Sequence, residues 1–198
     1  MTTTPTDWSL NETKATARKA ARGAGYPWGL AIEAGYAVEW LQARGLNGAQ
    51  ALGQYLLWRE SNDPGEACPL KIGCRIGDFG TWENILPGKV VQPILLIPFI
   101  TSVYEDAPVL LHSGEARILF NEQNIEHESL STLLEDGFHH CTLSLSDQAP
   151  KESSCVSRVP WSAAEAVRIL EKFAFDSYAP ATEESRLAGA GAGLNDND

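Results

Sequence analysis

Apolar residues recur at helical spacing through the first third of the chain and at strand spacing later on. Ser9-Leu10-Asn11-Glu12 has the form of a capping box, in which two side chains satisfy the first free amides of a helix. Leu10, Thr13, Ala17, Ala20 and Ala24 then follow the three-to-four spacing of one helical face, and Gly23 and Gly25 offer a stop. A second helix is predicted from about Pro27, with Leu30, Ala34, Ala37 and Leu41 as its buried stripe and Gly45 at its end. A third follows Asn47, with Leu52, Tyr55 and Leu56 facing inward. Small residues on the first two helices predict a close approach between them.

The pattern changes after Asn62. Residues 62–88 are rich in Gly and Pro, and Lys71–Ile76 alternates in a way that predicts a strand. Val90–Val103 is apolar on every face, hence buried. Its β-branched residues favour a strand, whereas Pro93 and Pro98 favour a helix kinked at Pro98. Val109–His112, Ser113-Gly114 and Ala116–Phe120 predict a hairpin. Cys141, Leu143 and Leu145 alternate with Thr142, Ser144 and Ser146, which predicts a half-buried strand, and Cys155–Val159 predicts another. Trp161 and Ser162 then form a second cap before a helix that buries Val167, Leu170 and Ala174. These elements predict an α+β fold: a three-helix N-terminal unit, an antiparallel sheet and a C-terminal helix packed on it. Residues 1–178 form one domain in this reading, and 179–198 form a Gly-rich acidic tail.

Composition narrows the function. The 198 residues carry a formal net charge of -11, which opposes binding to a phosphate backbone or an anionic membrane. No nucleic-acid and no membrane partner is expected. No apolar run approaches the roughly 20 residues of a membrane span, and no secretion signal is evident. Cys68, Cys74, Cys141 and Cys155 are therefore expected as free thiols in a cytoplasmic protein.

Candidate chemistry is sparse. Gly189-Ala190-Gly191-Ala192-Gly193 could bring backbone amides close to an anion, but Asn195-Asp196-Asn197-Asp198 follows it, where a nucleotide loop would open a helix. The polar end lacks the Gly and Glu of a calcium loop. The cysteine spacings fit no zinc framework, so no metal site is expected. Cys68 precedes Pro69 in the Gly/Pro-rich region, which makes it the cysteine expected at the surface. The candidate bases are His112, His139 and His140. Lys14, Arg18 and Arg22 share one face of the first helix, and Trp82 lies in a Gly-rich loop.

Across Ser9–Glu12, Lys19–Ala31, Pro180–Arg186 and Gly189–Gly193 the chain resembles an uncharacterised bacterial family known only as a domain of unknown function. The resemblance implies a bacterial, cytoplasmic protein and brings no activity and no catalytic residue. The helical opening is also similar to the first helices of type-2 malate/lactate dehydrogenases, but the Ser-His-Gly segment of that family is missing.

Two readings of function stand at this point. One is a non-catalytic module, such as an accessory subunit, that binds a small molecule or a protein. The other is a small-molecule enzyme with Cys68 as nucleophile and His112 as base. There Arg186, Trp82 and the amides of Gly189, Gly191 and Gly193 would hold the ligand. Neither reading names a cofactor, and the oligomeric state stays open.

Overall fold

The computed structural model describes residues 7–152, 155–156, 158–159 and 164–177. Trp161, Ser162, Tyr178 and the whole Gly-rich tail lie outside the described residues.

The chain opens on a two-residue strand, β1 (Trp8–Ser9), followed by α1 (Leu10–Gly23). The capping box is formed. The Glu12 amide donates to Ser9 Oγ at 3.1 Å, and the Ser9 amide donates to Glu12 Oε2 at 2.8 Å. Ser9→Ala removes the acceptor, and a lost cap of this kind costs about 1 kcal/mol. A melting temperature lower by about 3 °C is the expected reading in a thermal scan. The Ser9 hydrogen bonds hold the Glu12 carboxyl below its ordinary pKa. A depressed carboxyl stabilises the fold above its unfolded pKa, so this contribution fades as pH falls through the folded value.

Helices α2 (Trp28–Ala43) and α3 (Gly48–Ser61) follow as read from the sequence. Pro27 caps α2 with its backbone instead of entering it, and Gly45 adopts the left-handed conformation (φ 75°) just past its end. The approach of α1 to α2 is close: a Cβ on Gly35 would lie 2.9 Å from the Lys14 carbonyl oxygen.

The expected strand at 71–76 is a helix instead, α4 (Pro69–Phe79). Pro69 occupies the first turn, where its missing N–H has no partner to lose. Leu70, Ile72, Gly73 and Ile76 are buried on one helical face. Gly73 is required there, because a Cβ would sit 2.3 Å from the Phe99 ring. The apolar segment beyond it divides in two ways. β2 (Val90–Val91) is extended, and after a 3₁₀ turn at Pro93–Leu96 the chain forms α5 (Ile97–Tyr104). Pro98 therefore starts a helix and does not kink one.

The hairpin forms as expected from β3 (Val109–Ser113) and β4 (Ala116–Phe120), with Gly114 at φ 59° in the turn. β5 (Ile125–Glu128), β6 (Phe138–His139) and β7 (Thr142–Leu145) follow. The main sheet is antiparallel in the order β5-β4-β3-β7. Val109 faces Leu145 and Leu111 faces Leu143 across β3 and β7. Cys141 is buried, as expected of the inner face, but Leu145 is exposed. Two short ladders complete the strands: β2 pairs with β6, and β1 pairs with β8 (Arg158–Val159).

The last helix, α6 (Ala164–Phe175), buries Val167, Leu170 and Ala174. Its principal neighbours are α1 and α3 and not the sheet on which the sequence pattern places it. The α+β fold is thus a helical layer extended by α4, α5 and α6, with the sheet beside it and one apolar core running through both.

Candidate functional site

Cys68 is not at the surface. It precedes α4, has 0% exposure and sits against two tyrosines. The Tyr55 hydroxyl donates to Cys68 Sγ at 3.1 Å. The Tyr26 hydroxyl lies 2.5 Å from that of Tyr55 and 3.5 Å from the same sulfur. The Arg59 guanidinium covers the Tyr26 ring at 4.4 Å and donates to the Ala24 carbonyl. Burial, followed by the proximity of Cys68, pushes both phenols above the ordinary tyrosine range. This closed cluster links α3 and α4 to the segment between α1 and α2, and offers a substrate no path to the sulfur.

His112 stands on the exposed side of β3, between Arg117 of β4 and Thr142 of β7. Among the described residues no hydrogen bond joins Cys68 to a histidine, so the expected pair of nucleophile and base is not assembled. His139 bonds the Glu135 carbonyl at 3.0 Å. Trp82 is half-buried against Tyr104, with ring centroids 4.1 Å apart. Arg186, Gly189, Gly191 and Gly193 lie outside the described residues. Among the described residues no three His, Cys, Asp or Glu side chains cluster as metal ligands would.

A different feature is open to solvent. α2 is apolar nearly all round; only Glu33, Glu39 and Gln42 carry charged or amide side chains. A helix of that composition is normally buried on every side. Here the face opposite Ala34, Ala37 and Leu41 is not. Trp28, Ile32 and Tyr36 recur at every fourth residue and are 62%, 51% and 36% exposed. Ile32 and Tyr36 border a groove of about 510 Å³, whose other walls include Cys74 of α4 and Phe99 of α5. Its rim is acidic. Glu33 and Asp78 line it without an ion-pair partner among the described residues, while Lys14 is engaged by Glu39 at 2.6 Å.

That acidity is felt by Cys74. Burial, then Glu33 and Asp78, push its thiol up to about 11. It is therefore protonated at neutral pH and a poor nucleophile. In a timed reaction of the native protein with a maleimide, exposed Cys155 is expected to label first and Cys74 slowly. Buried Cys68 and Cys141 should label only on unfolding. Peptide mapping of the labelled sites reads out that order.

Residues 8–76 match the model of a family described as protein of unknown function (DUF3726). The matched span holds the tyrosine–cysteine cluster and the α2 wall of the groove, and it ends before Asp78 and Phe99. No curated protein and no solved structure matches the chain.

The groove is not foreseen by the spacing of Leu30, Ala34, Ala37 and Leu41, which marks a single buried stripe on α2. The signal was available in Trp28, Ile32 and Tyr36, a second apolar stripe on a helix with few polar positions to turn toward water.

Proposed function

We propose that the protein is a non-catalytic binding module and that the groove beside α2 receives an apolar helix face of a partner protein flanked by Lys or Arg. The observation that carries this reading is the exposed Ile32–Tyr36 pair lining the groove on a helix with few polar positions; Trp28 continues the stripe outside the groove, under the Arg22 guanidinium at 4.7 Å. Covering each half-exposed side chain is worth on the order of 1 kcal/mol. Ile32 and Tyr36, one turn apart, with Phe99 across the groove, suit the apolar anchors of a docked helix. Glu33 and Asp78 supply the charge complement. They favour a basic partner, and the net charge of -11 would steer it in and oppose a second copy of the chain.

The test is selection of 16-residue peptides from a display library against the full-length protein, with Ile32→Glu as a parallel target. Enrichment of sequences with apolar residues at helical spacing beside Lys or Arg is expected. The selected peptide should bind more weakly as salt rises and lose at least tenfold in affinity with Ile32→Glu. Because Ile32 is half-exposed, its variant should melt within about 2 °C of the parent protein. No enrichment, or equal binding by both targets, would overturn the proposal. A dimer in sedimentation that Ile32→Glu dissociates would replace the basic partner with a second copy.

A further inference from the structure

A second cavity, of about 420 Å³, lies between the end of α2, the outer face of α3 and the first turns of α6. Its walls are unusual in being built from carboxamides. Asn47, Gln50 and Gln54 fall at i, i+3 and i+7 along one side of α3, and Gln42 enters from the last turn of α2. Glu165 borders the cavity from α6, and Ile169 supplies an apolar wall. The placement follows from packing at Gly53, where a Cβ would meet Ile169 Cγ2 at 3.1 Å. That close contact brings α6 onto α3 alongside its amide-bearing side.

The fold uses only part of this amide capacity. Gln42 is buried and accepts the Ala49 N–H at 3.3 Å, but the Oε1 of Gln54 is buried without a hydrogen-bond partner. Where it stands this acceptor is closed to solvent, and a turn of the Gln54 side chain into the cavity would bring it to a donor on a ligand. Among the described residues no Lys or Arg lines the cavity, and its one carboxylate, Glu165, is held by Arg168 at 3.8 Å on the exposed side of α6. The volume falls in the range of small-molecule sites.

We infer that this cavity binds a small uncharged molecule that carries several N–H or O–H donors and has one apolar face to set against Ile169. A neutral heterocycle, such as a nucleobase or nucleoside, and a neutral sugar share that chemistry. Carboxamides pair with both donor and acceptor edges, whereas among the described residues the cavity wall offers a phosphate no Lys or Arg. The inference is independent of the groove beside α2.

The experiment uses full-length protein labelled with ¹⁵N on its glutamine and asparagine side chains. Adenosine, uridine and glucose are titrated, each against its monophosphate. At least one neutral probe should shift the side-chain NH₂ signals of Gln50 and Gln54. At a hundred times its dissociation constant it should also raise the melting temperature by about 5 °C or more. Its monophosphate should bind at least tenfold more weakly, and Gln54→Leu should lower affinity for the neutral form at least tenfold. Gln50→Leu serves if Gln54→Leu does not fold. The inference is overturned if no neutral probe binds, if the monophosphate binds as well, or if both leucine variants keep full affinity. A nucleoside response without a glucose response assigns the heterocycle, and the reverse assigns the sugar.

Discussion

Gly23→Ala is expected to lower the melting temperature by about 5–10 °C, although alanine is the better helix former. A Cβ at this position would lie 1.8 Å from the Phe173 carbonyl oxygen and 2.9 Å from its carbon. Both are backbone atoms of α6, so no side-chain rotation relieves the overlap. α6 would have to move away from α1, its principal neighbour. Overpacking of this kind costs roughly 1–3 kcal/mol and sometimes more, and each kcal/mol is worth about 2–4 °C in a chain of this size. Gly29 is the control. It also lies in a helix, but nothing stands within 4 Å of the added Cβ. Gly29→Ala should raise stability by about 0.5–1 kcal/mol. Calorimetry of the two variants side by side separates helix propensity from helix packing. Equal stabilisation of both would contradict the α1–α6 contact.

Alkaline unfolding is the second large effect. Tyr26 and Tyr55 are buried phenols with raised pKa values, and the thiols of Cys74 and Cys141 are pushed up to about 11, chiefly by burial. Each group ionises more readily in the unfolded chain. The stability tied to its neutral form is complete below the unfolded pKa and is lost as pH rises toward the folded value. Loss should begin near pH 9, from the thiols, and steepen above pH 10, from the tyrosines. The absorbance of tyrosinate should report Tyr26 and Tyr55 only together with loss of helical circular dichroism. Tyr55→Phe removes one buried phenol and the donor to Cys68. It should cost about 1–2 kcal/mol at neutral pH and flatten the alkaline limb. Ionisation of all five tyrosines while the helices remain intact would refute the cluster.

Local chemistry made several elements legible. Ser9 and Glu12 announced the start of α1 because a capping box is a contact between near neighbours. Gly114 marked the hairpin because its turn demands a positive φ. Lys71–Ile76 misled for an identifiable reason. Ile72, Cys74 and Ile76 alternate with Lys71, Gly73 and Arg75 as in a half-buried strand. Gly73 would then face water, but it is buried against Phe99, a contact made 26 residues later in the chain. Cys68 misled similarly. Its Gly/Pro-rich surroundings suggested exposure, and only the long-range approach of Tyr26 and Tyr55 buries it. The groove beside α2 depends on α4 and α5 arriving at its flank, and no spacing within one helix encodes that arrival.

The pairing of Trp8 with Val159, and of α1 with α6, carries a consequence for synthesis. Arg158 reaches back to the carbonyl of Asp7 across 151 residues. At about 5–20 residues per second, a ribosome needs roughly 8–30 s to add that length. For that interval the surface of α1 around Gly23 has no α6 to cover it, however well its cap is formed. The first helix can therefore dock on α2 early while its contact with α6 is made late, and that uncovered part is where a nascent-chain chaperone or a misfolded contact would compete with α6.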